Sequence, residues 1–317
     1  MKTVLFYRDS RRFRGHDLKV WHYFNHVLGS PEHTAYVRVF GDDRLEEENP
    51  WSRSVDRMVR EDGAVDPDIL FLSGVDWEHL DPSQRERSPV PVINLVQHVK
   101  HACPDDPLGR YEFLSHKAIR ICVSPSVEGA LRSSGRANGP LFTIPNCVDL
   151  DDIGRMGSQS KDIDLLIAAN KAPELGRALA TRLEGPGRAI HLVDRWMTRP
   201  EFLSLLSRSR VGIFLPLEKE GFFLPPLEAM AVGTAVVCPD CVGNRAYCRP
   251  RVNCLCPGYT EEELAEAAES MLRDTGTRDR MVANGASTAR QHDIRRERES
   301  FLSILSRTEE LWSLEQP

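Results

Sequence analysis

Short apolar runs alternate with longer amphipathic stretches along most of this chain. In the first half, the apolar runs predict strands over 3–7, 35–40, 69–73, 92–95, 120–124 and 140–145. The stretches between them predict helices over 16–28 and 126–133, and another helix opens at 111–116. Apolar runs bounded by turn residues are typical of parallel strands buried on both faces. The alternation therefore predicts an α/β protein with a doubly wound sheet.

The second half of the chain repeats this alternation. Strands are predicted over 163–168, 189–193, 211–216 and 235–238, and helices over 173–183, 199–209 and 261–273. A last helix over 299–312 has Phe301, Leu305, Thr308 and Trp312 on one face. Two similar half-folds are therefore expected, followed by a C-terminal helix.

A segment rich in Asp, Gly and Ser separates the two halves between 149 and 162. This composition is typical of a linker. We therefore predict an N-terminal domain over 1–150, a linker over 151–162, a second domain over 163–295 and a C-terminal helix over 296–317. The length of 317 residues fits two domains.

Composition narrows the class of protein. Hydrophobic residues make up 41% of the chain and charged residues 28%, as in ordinary globular proteins. The net charge of −6 argues against nucleic acid as the main partner. No apolar run approaches the roughly 20 residues of a membrane span, and the first strand is interrupted too soon for a signal peptide. We predict a cytoplasmic protein without a membrane span, and its surface is compatible with peripheral membrane contact.

The stretch from 220 to 237 carries the strongest functional signal. It reads Glu-Gly-Phe-Phe-Leu-Pro-Pro-Leu-Glu-Ala-Met-Ala-Val-Gly-Thr-Ala-Val-Val, with Glu220 at its start and Glu228 eight positions later. Predicted strands flank it on both sides, so the unit is strand, loop, helix, strand. Ligands of such sheets bind at the carboxyl ends of the strands, and Glu220 falls on that edge.

This stretch resembles the signature of retaining nucleotide-sugar glycosyltransferases of the GT-B fold, family 4. The family has glycine where this chain has Phe223, and proline where it has Ala235. The resemblance extends over about 115–290, through Ser-Pro-Ser-Val at 124–127, Ile-Pro-Asn at 144–146 and Gly-Asn-Arg at 243–245. It implies two Rossmann-like domains facing a central cleft. The first would bind the acceptor, the second would bind the nucleotide sugar, and the C-terminal helix would pack back on the first domain.

The resemblance also implies roles for the residues of the signature. Glu228 would accept hydrogen bonds from the ribose hydroxyls, and Glu220 would face the donor sugar. Backbone N–H groups at a helix start suit a diphosphate, so the segment Gly221, Phe222, Phe223 and Leu224 is assigned to the donor. Leu227 could also offer its N–H group. We expect Phe223 to crowd this loop, because the family has glycine there.

A cation is also expected at the diphosphate. The family places an Arg and a Lys on the loop after the first strand of the second domain. Here that loop contains Lys171 and lacks the arginine. Arg195, after the next strand, or an arginine of the first loop is left as a substitute.

The first domain offers two sets of candidates. His98 and His101 follow a predicted strand, and one of them is expected to face the donor sugar or the acceptor. We prefer His98 because it lies nearer the strand. The loop after the first strand corresponds to the family's glycine-rich loop, of which Gly15 remains. Arg11, Arg12 and Arg14 make this loop basic, which suits an anionic acceptor.

We predict neither a cofactor nor a metal. The chain has no Asp-x-Asp motif at the signature, and the family generally binds no ion. Five cysteines lie between Cys238 and Cys256, with a spacing that zinc sites can use. However, the segment has no histidine, and the family carries a similar tract without metal.

The resemblance also implies how the sugar is transferred. In the family, the departing phosphate itself takes the acceptor's proton. Glu220 is therefore expected to orient the sugar and stabilise charge, and not to form a covalent bond.

Three functional hypotheses remain at this point. The leading one is a retaining glycosyltransferase that moves a sugar from a nucleotide sugar to a saccharide, lipid-linked or natural-product acceptor. Polysaccharide biosynthesis is the biological setting that the family suggests. A sugar phosphorylase or nucleotide-sugar epimerase with the same two-domain fold is the second hypothesis. A non-catalytic scaffold subunit that has kept the fold is the third.

Overall fold

A computed structural model describes residues 1–8, 15–40, 49–59, 63–103, 111–155 and 159–314. The chain forms two compact units. The first contains Met1–Asn146 and Glu297–Pro317, and the second contains Cys147–Arg296. Each unit has a parallel sheet with helices, so the predicted α/β class is confirmed.

The first unit is built on a seven-stranded parallel sheet. Its strands are β1 (Lys2–Arg8), β2 (His33–Val39), β3 (Met58–Val59), β4 (Ile69–Ser73), β5 (Val92–Val96), β6 (Ile119–Cys122) and β7 (Leu141–Thr143). Their order is β3-β2-β1-β4-β5-β6-β7. The order reverses between β1 and β4, and ligands of doubly wound sheets bind outside the strand ends at such a point.

The central strands of this sheet are buried on both faces. Every residue of β4 and β5 is buried. The α-helices of the first 146 residues are α1 (Gly15–Leu28), α2 (Pro82–Glu86) and α3 (Pro125–Ser134). The helix predicted to open at 111–116 is instead a short 3₁₀ turn over Glu112–Ser115. It ends there because His116 has an extended backbone conformation.

The second unit has four parallel strands, β8 (Ile163–Ala168), β9 (Ile190–Val193), β10 (Ser209–Phe214) and β11 (Ala235–Val237). Their order is β11-β10-β8-β9. Its helices are α4 (Leu150–Arg155), α5 (Pro173–Arg182), α6 (Arg199–Arg208), α7 (Leu224–Ala231), α8 (Glu261–Arg273) and α9 (Thr275–Gln291). The order reverses between β8 and β10, which places the expected ligand site outside the carboxyl ends of these two strands.

Two helices of the second unit differ from the prediction. Helix α4 lies inside the predicted linker over 151–162, because the Asp149 carboxylate caps it through Asp152 N–H (2.9 Å) and Ile153 is buried in the core. Helix α9 was not predicted. The buried face of α9 contains the small residue Gly285, where an added Cβ would lie 3.0 Å from Cγ of Met230. The packing of this helix therefore depends on a small side chain at 285 and not on a strong apolar stripe.

The predicted C-terminal helix over 299–312 consists of two helices, α10 (Ile294–Ser306) and α11 (Thr308–Ser313). They separate because the buried Thr308 hydroxyl donates to the Leu305 carbonyl (2.7 Å), a local bond that competes with helix continuation. From Glu297 onward, α10 belongs to the first unit. Within that unit the Phe301 ring stacks on Tyr23, with centroids 4.3 Å apart.

A buried ionic group accompanies this packing. Lys19 of α1 donates to the Glu297 carboxylate, and His26 Nε2 lies 3.1 Å from Glu297 Oε1. Lys19, Glu297 and His26 are all at least nine-tenths buried. The charges of Lys19 and Glu297 compensate each other, which a buried charge requires. None of the described helices has the length and apolar content needed to cross a bilayer.

Candidate functional site

The ends of β8 and β10 lie side by side in the second unit. The Leu215 N–H, just after β10, donates to the Ala168 carbonyl at the end of β8 (3.1 Å). Beyond β8 the chain makes a tight turn, closed by the Ala172 N–H and the Ala169 carbonyl (3.0 Å). Gly176 of α5 packs directly on this turn, since an added Cβ would lie 2.2 Å from Cβ of Ala169. The turn that carries Lys171 is therefore fixed against the sheet.

Lys171 and Glu220 form an ion pair at these strand ends. Lys171 Nζ lies 2.5 Å from Glu220 Oε1, and the two side chains are 32% and 12% exposed. The Leu217 N–H also donates to Glu220 Oε1 (3.0 Å). The Lys171 ammonium lies 5.1 Å from the centroid of the Phe223 ring. The structure thus brings together two of the predicted site residues, and it fixes the carboxylate from two sides.

The loop between Glu220 and α7 is held by the segment around Gly243. The Phe223 N–H donates to the Gly243 carbonyl (3.0 Å), and the Tyr247 hydroxyl donates to the Phe223 carbonyl. An added Cβ at Gly243 would lie 2.6 Å from Cβ of Glu220 and 2.7 Å from Phe223 N. Glycine is therefore required here for close approach of two backbones, which explains its presence in the Gly-Asn-Arg tract.

Phe223 is the residue that was expected to crowd this loop. Its side chain is buried, 5% exposed, and belongs to the core of the second unit. Phe222 is the partly exposed residue of the pair, and its ring stacks on Tyr247 with centroids 5.2 Å apart. Gly221 is buried. The Phe223 ring therefore packs in the core and also faces the Lys171 ammonium. The expectation that it crowds the loop stays a prediction.

The start of helix α7 offers a single unused backbone donor. Pro225 and Pro226 have no N–H group, and the Phe223 N–H is taken by Gly243. In an α-helix that begins at Leu224, the Leu227 N–H pairs with the carbonyl of Phe223, so Leu227 is not available as predicted. Among the described residues, the Leu224 N–H is left without an acceptor. This donor and the helix dipole favour an anion at this point.

Glu228 is the fifth residue of α7 and is buried, with its side chain 5% exposed. The Arg199 Nε–H donates to Glu228 Oε1 (2.8 Å), and Asp152 Oδ2 lies 3.7 Å from Arg199 Nη1. Neither Arg199 nor Asp152 was predicted. A signal for Arg199 exists in the sequence, since a cation on the first turn of a helix is unfavourable unless another group compensates it.

Arg195 and an arginine of the first loop were the predicted substitutes for the arginine that the family places beside the lysine. Arg195 is exposed and has no ion pair among the described residues. Arg8, at the start of the basic first loop, is buried in the first unit, where it pairs with Asp17 and lies 3.4 Å from Asp76. Arg11, Arg12 and Arg14 lie outside the described residues. Gly15 is the exposed first residue of α1.

The structure distinguishes the two histidines of the first unit. His98 is partly exposed, and its Nδ1 accepts the Lys100 N–H (3.0 Å) as the cap of a 3₁₀ turn. In a neutral ring, this contact leaves the proton on Nε2. His101 is buried against Tyr111 and Phe113, and burial lowers its pKa to about 3. His101 is a neutral core residue, which leaves His98 as the ligand candidate.

The five cysteines between Cys238 and Cys256 do not converge on one point. All five thiols between Cys238 and Cys256 are free, and the Cys254 and Cys256 sulfur atoms are 3.6 Å apart. No three of these five sulfur atoms lie within 4.8 Å of one another. Burial raises the pKa of Cys241 to about 11, which keeps that thiol protonated. The cluster therefore serves the packing behind the Gly243 segment.

Comparisons with known proteins agree with this geometry. Residues 182–288 match the family model of Glycosyl transferases group 1. No curated protein matches the sequence significantly. The chain is similar in structure to HepE of Anabaena in complex with UDP-glucose, with 14% identity, a TM-score of 0.76 and coverage of 96% of this chain and 100% of that chain.

Two further solved structures are similar over nearly their whole length. Sucrose-phosphate synthase from Thermosynechococcus elongatus has 13% identity and a TM-score of 0.72, covering 97% of this chain and 99% of that chain. A glycosyltransferase from Rickettsia africae has 11% identity and a TM-score of 0.70, covering 99% of each chain. At these identities the likeness shows the fold, which is GT-B.

The fold and the family match together indicate the class of protein: the chain has the GT-B fold of glycosyltransferases. Residues 182–288, which run from the end of α5 through most of α9, match glycosyl transferases group 1. The predicted resemblance and the predicted enzyme class are therefore confirmed.

Proposed function

We propose that the protein is a cytoplasmic, metal-independent, retaining glycosyltransferase that uses a nucleotide sugar. One observation carries the proposal: Lys171 and Glu220 form an ion pair where β8 and β10 end, and the loop after β10 leads directly into α7, which begins at the unused Leu224 N–H and contains Glu228. This is the point where the strand order of the second unit reverses. A diphosphate requires a cation and backbone donors, and both occur here.

Lys171 and the Leu224 N–H would bind the donor diphosphate and stabilise the charge that develops when it leaves. Such stabilisation by groups already in place is often the largest single contribution to catalysis. Glu228 would hold the ribose hydroxyls. The departing phosphate would receive the acceptor's proton, so no protein base is needed for that step.

Glu220 would orient the sugar, and its present contacts support this role. Its Oε1 accepts from both Lys171 and the Leu217 N–H, which hold the carboxylate in one position. These donors also withdraw charge from the oxygen, so the group is a poor nucleophile. When the diphosphate binds, Lys171 would be shared between the phosphate and Glu220.

The first unit would supply the acceptor side. His98, with its Nε2–H as a donor, is the candidate for contact with the donor sugar or the acceptor. We propose a saccharide, lipid-linked or natural-product acceptor, and the basic residues Arg11, Arg12 and Arg14 favour one with a negative charge. UDP-glucose is the first donor to test, because HepE, of the same fold, binds it.

The test is a thermal-shift panel with UDP, GDP and ADP on the wild-type protein and on Glu228→Ala. We expect at least one nucleotide to raise the unfolding midpoint of the wild type, and Glu228→Ala to abolish the rise. Absence of any shift with all three nucleotides would contradict the proposal. Proton NMR of the product of an active donor and acceptor pair then reports the anomeric configuration, which should be retained.

The same panel separates the alternative functions. Phosphate-dependent release of a sugar phosphate indicates a phosphorylase, and conversion of a nucleotide sugar without an acceptor indicates an epimerase. A nucleotide that binds but whose sugar is neither transferred nor hydrolysed indicates a scaffold subunit. No observation in the structure favours these three over sugar transfer.

A further inference from the structure

The first turn of helix α6 places a cation beside Glu228, where helix formation gives no reason for one. Thr198 and Glu201 already cap this helix reciprocally. Arg199 follows the cap, at a position where the helix dipole disfavours a positive charge. What Arg199 gains there is the hydrogen bond of its Nε–H to Glu228 Oε1, at 2.8 Å, and a longer ionic contact of Nη1 with Asp152 Oδ2, at 3.7 Å. The placement of this arginine is therefore explained by these carboxylates and not by the helix.

Only one of the two oxygens of the Glu228 carboxylate accepts a hydrogen bond from Arg199. The Glu228 side chain is 5% exposed, so the charge needs a counter-charge and hydrogen-bond donors. Arg199 supplies both to Oε1. Among the described residues, Oε2 has no donor. A ligand that donates a hydrogen bond to Oε2 would complete the coordination of this carboxylate.

Arg199 itself has one buried donor without an acceptor. Its Nη2 is closed to solvent and has no hydrogen-bond partner among the described residues. In the fixed fork of a guanidinium, Nε–H and Nη2–H lie on the same edge, so this donor is on the edge that faces Glu228. A buried donor without an acceptor is costly, and native structures rarely leave one unused.

A hydroxyl group fits this pair of requirements. It donates to Glu228 and accepts from Arg199, whereas an anion would be repelled by the carboxylate and a cation by the guanidinium. We propose that Arg199 is a positioning residue of the nucleoside site, which fixes Glu228 and, together with it, selects a ribose with its hydroxyls. The inference rests on the proposed function, because it takes Glu228 to face the ribose of the donor.

The experiment compares UDP with 2′,3′-dideoxy-UDP by isothermal titration calorimetry. Since hydrogen bonds to charged groups contribute a factor of roughly 10 or more each, we expect the wild type to prefer UDP by roughly 100-fold. Arg199→Met should weaken UDP binding by roughly 10-fold to 100-fold while changing dideoxy-UDP binding much less. The preference for ribose therefore collapses in this variant. Arg199→Lys keeps the charge without the fork and should have an intermediate preference.

Arg208→Met is the matched control, because Arg208 lies on the same helix and pairs with the exposed Asp162. This variant should bind both nucleotides as the wild type does. A purely structural role for Arg199 would weaken both nucleotides equally and leave the preference unchanged, which overturns the inference. If Arg199→Met does not fold, Arg199→Lys is the test. A preference of Arg199→Lys for UDP over dideoxy-UDP that equals the wild-type preference overturns the inference.

The outcome for the proposed function is separate. A wild-type protein that binds none of UDP, GDP and ADP refutes that function and this inference with it. If GDP or ADP binds in place of UDP, the corresponding dideoxy nucleotide becomes the probe. Wild-type binding with an unchanged preference in Arg199→Met refutes only the role of Arg199.

Discussion

Gly243→Ala is predicted to disable the donor loop although residue 243 has no assigned chemical role. The new Cβ would lie 2.6 Å from Cβ of Glu220 and 2.7 Å from the Phe223 nitrogen, whereas ordinary contact begins near 3.4 Å. The loop must therefore move by about 1 Å. Both atoms belong to the segment that positions the Glu220 carboxylate, and neither is the flexible end of a side chain.

A displacement of about 1 Å at a reacting group can reduce the rate by roughly 100-fold. The overpacking itself should lower the free energy of unfolding by about 1–3 kcal/mol, so the protein should still fold. We therefore expect a large loss of kcat/KM for donor turnover with a moderate fall in the unfolding midpoint. Donor turnover is measured by release of the nucleoside diphosphate, and stability by urea denaturation.

Gly154→Ala is the matched control in the same unit. An added Cβ at Gly154 meets no atom within 4 Å, and the residue lies in helix α4. Alanine in a helix is favoured over glycine by about 1 kcal/mol, so this variant should be slightly more stable and equally active. A Gly243→Ala protein with wild-type kcat/KM would refute the contact between the two loops.

Two further predictions concern buried residues. His101→Leu should flatten the pH dependence of the free energy of unfolding. The pKa of His101 is lowered to about 3 in the folded protein, so the unfolded chain binds more protons as the pH falls. From this group the wild type therefore loses about 2 kcal/mol of stability between pH 7 and pH 5. Urea denaturation at both pH values checks this, and a variant with the wild-type slope contradicts it. Phe223→Gly, which restores the glycine of the family, should lower the free energy of unfolding by about 3–5 kcal/mol because the ring is buried. An equally stable variant with tighter nucleotide binding would show instead that the ring crowds the loop.

Much of the fold of the second unit could be predicted because its strands and helices have strong local patterns. The predicted strand over 163–168 and the helix over 261–273 agree with the structure at both ends. Helices α4 and α9 were missed because their positions depend on tertiary contacts. The aspartates of α4 suggest a linker until Asp149 is seen as a cap, and α9 packs through small residues such as Gly285.

The candidate site was predictable to a similar degree. The motif predicted Glu220 and Glu228, and the family resemblance predicted Lys171; the structure places Glu220 and Lys171 in contact. Which backbone groups remain free could not be predicted, because it depends on the pairing of Phe223 with Gly243 across separate loops. Arg199 was missed for the same reason, since its partner Glu228 is 29 positions away along the chain.

The central claim is that the second unit binds a nucleotide sugar through Glu228 and Lys171. The most direct test measures the release of nucleoside diphosphate from UDP-glucose without an acceptor, in the wild type and in Glu228→Ala. If neither protein turns over UDP-glucose, GDP- and ADP-linked sugars are tested next. The account predicts slow release by the wild type, and release by Glu228→Ala that is reduced by roughly 100-fold. Equal release by both proteins, or no release from any of the nucleotide sugars, would contradict it.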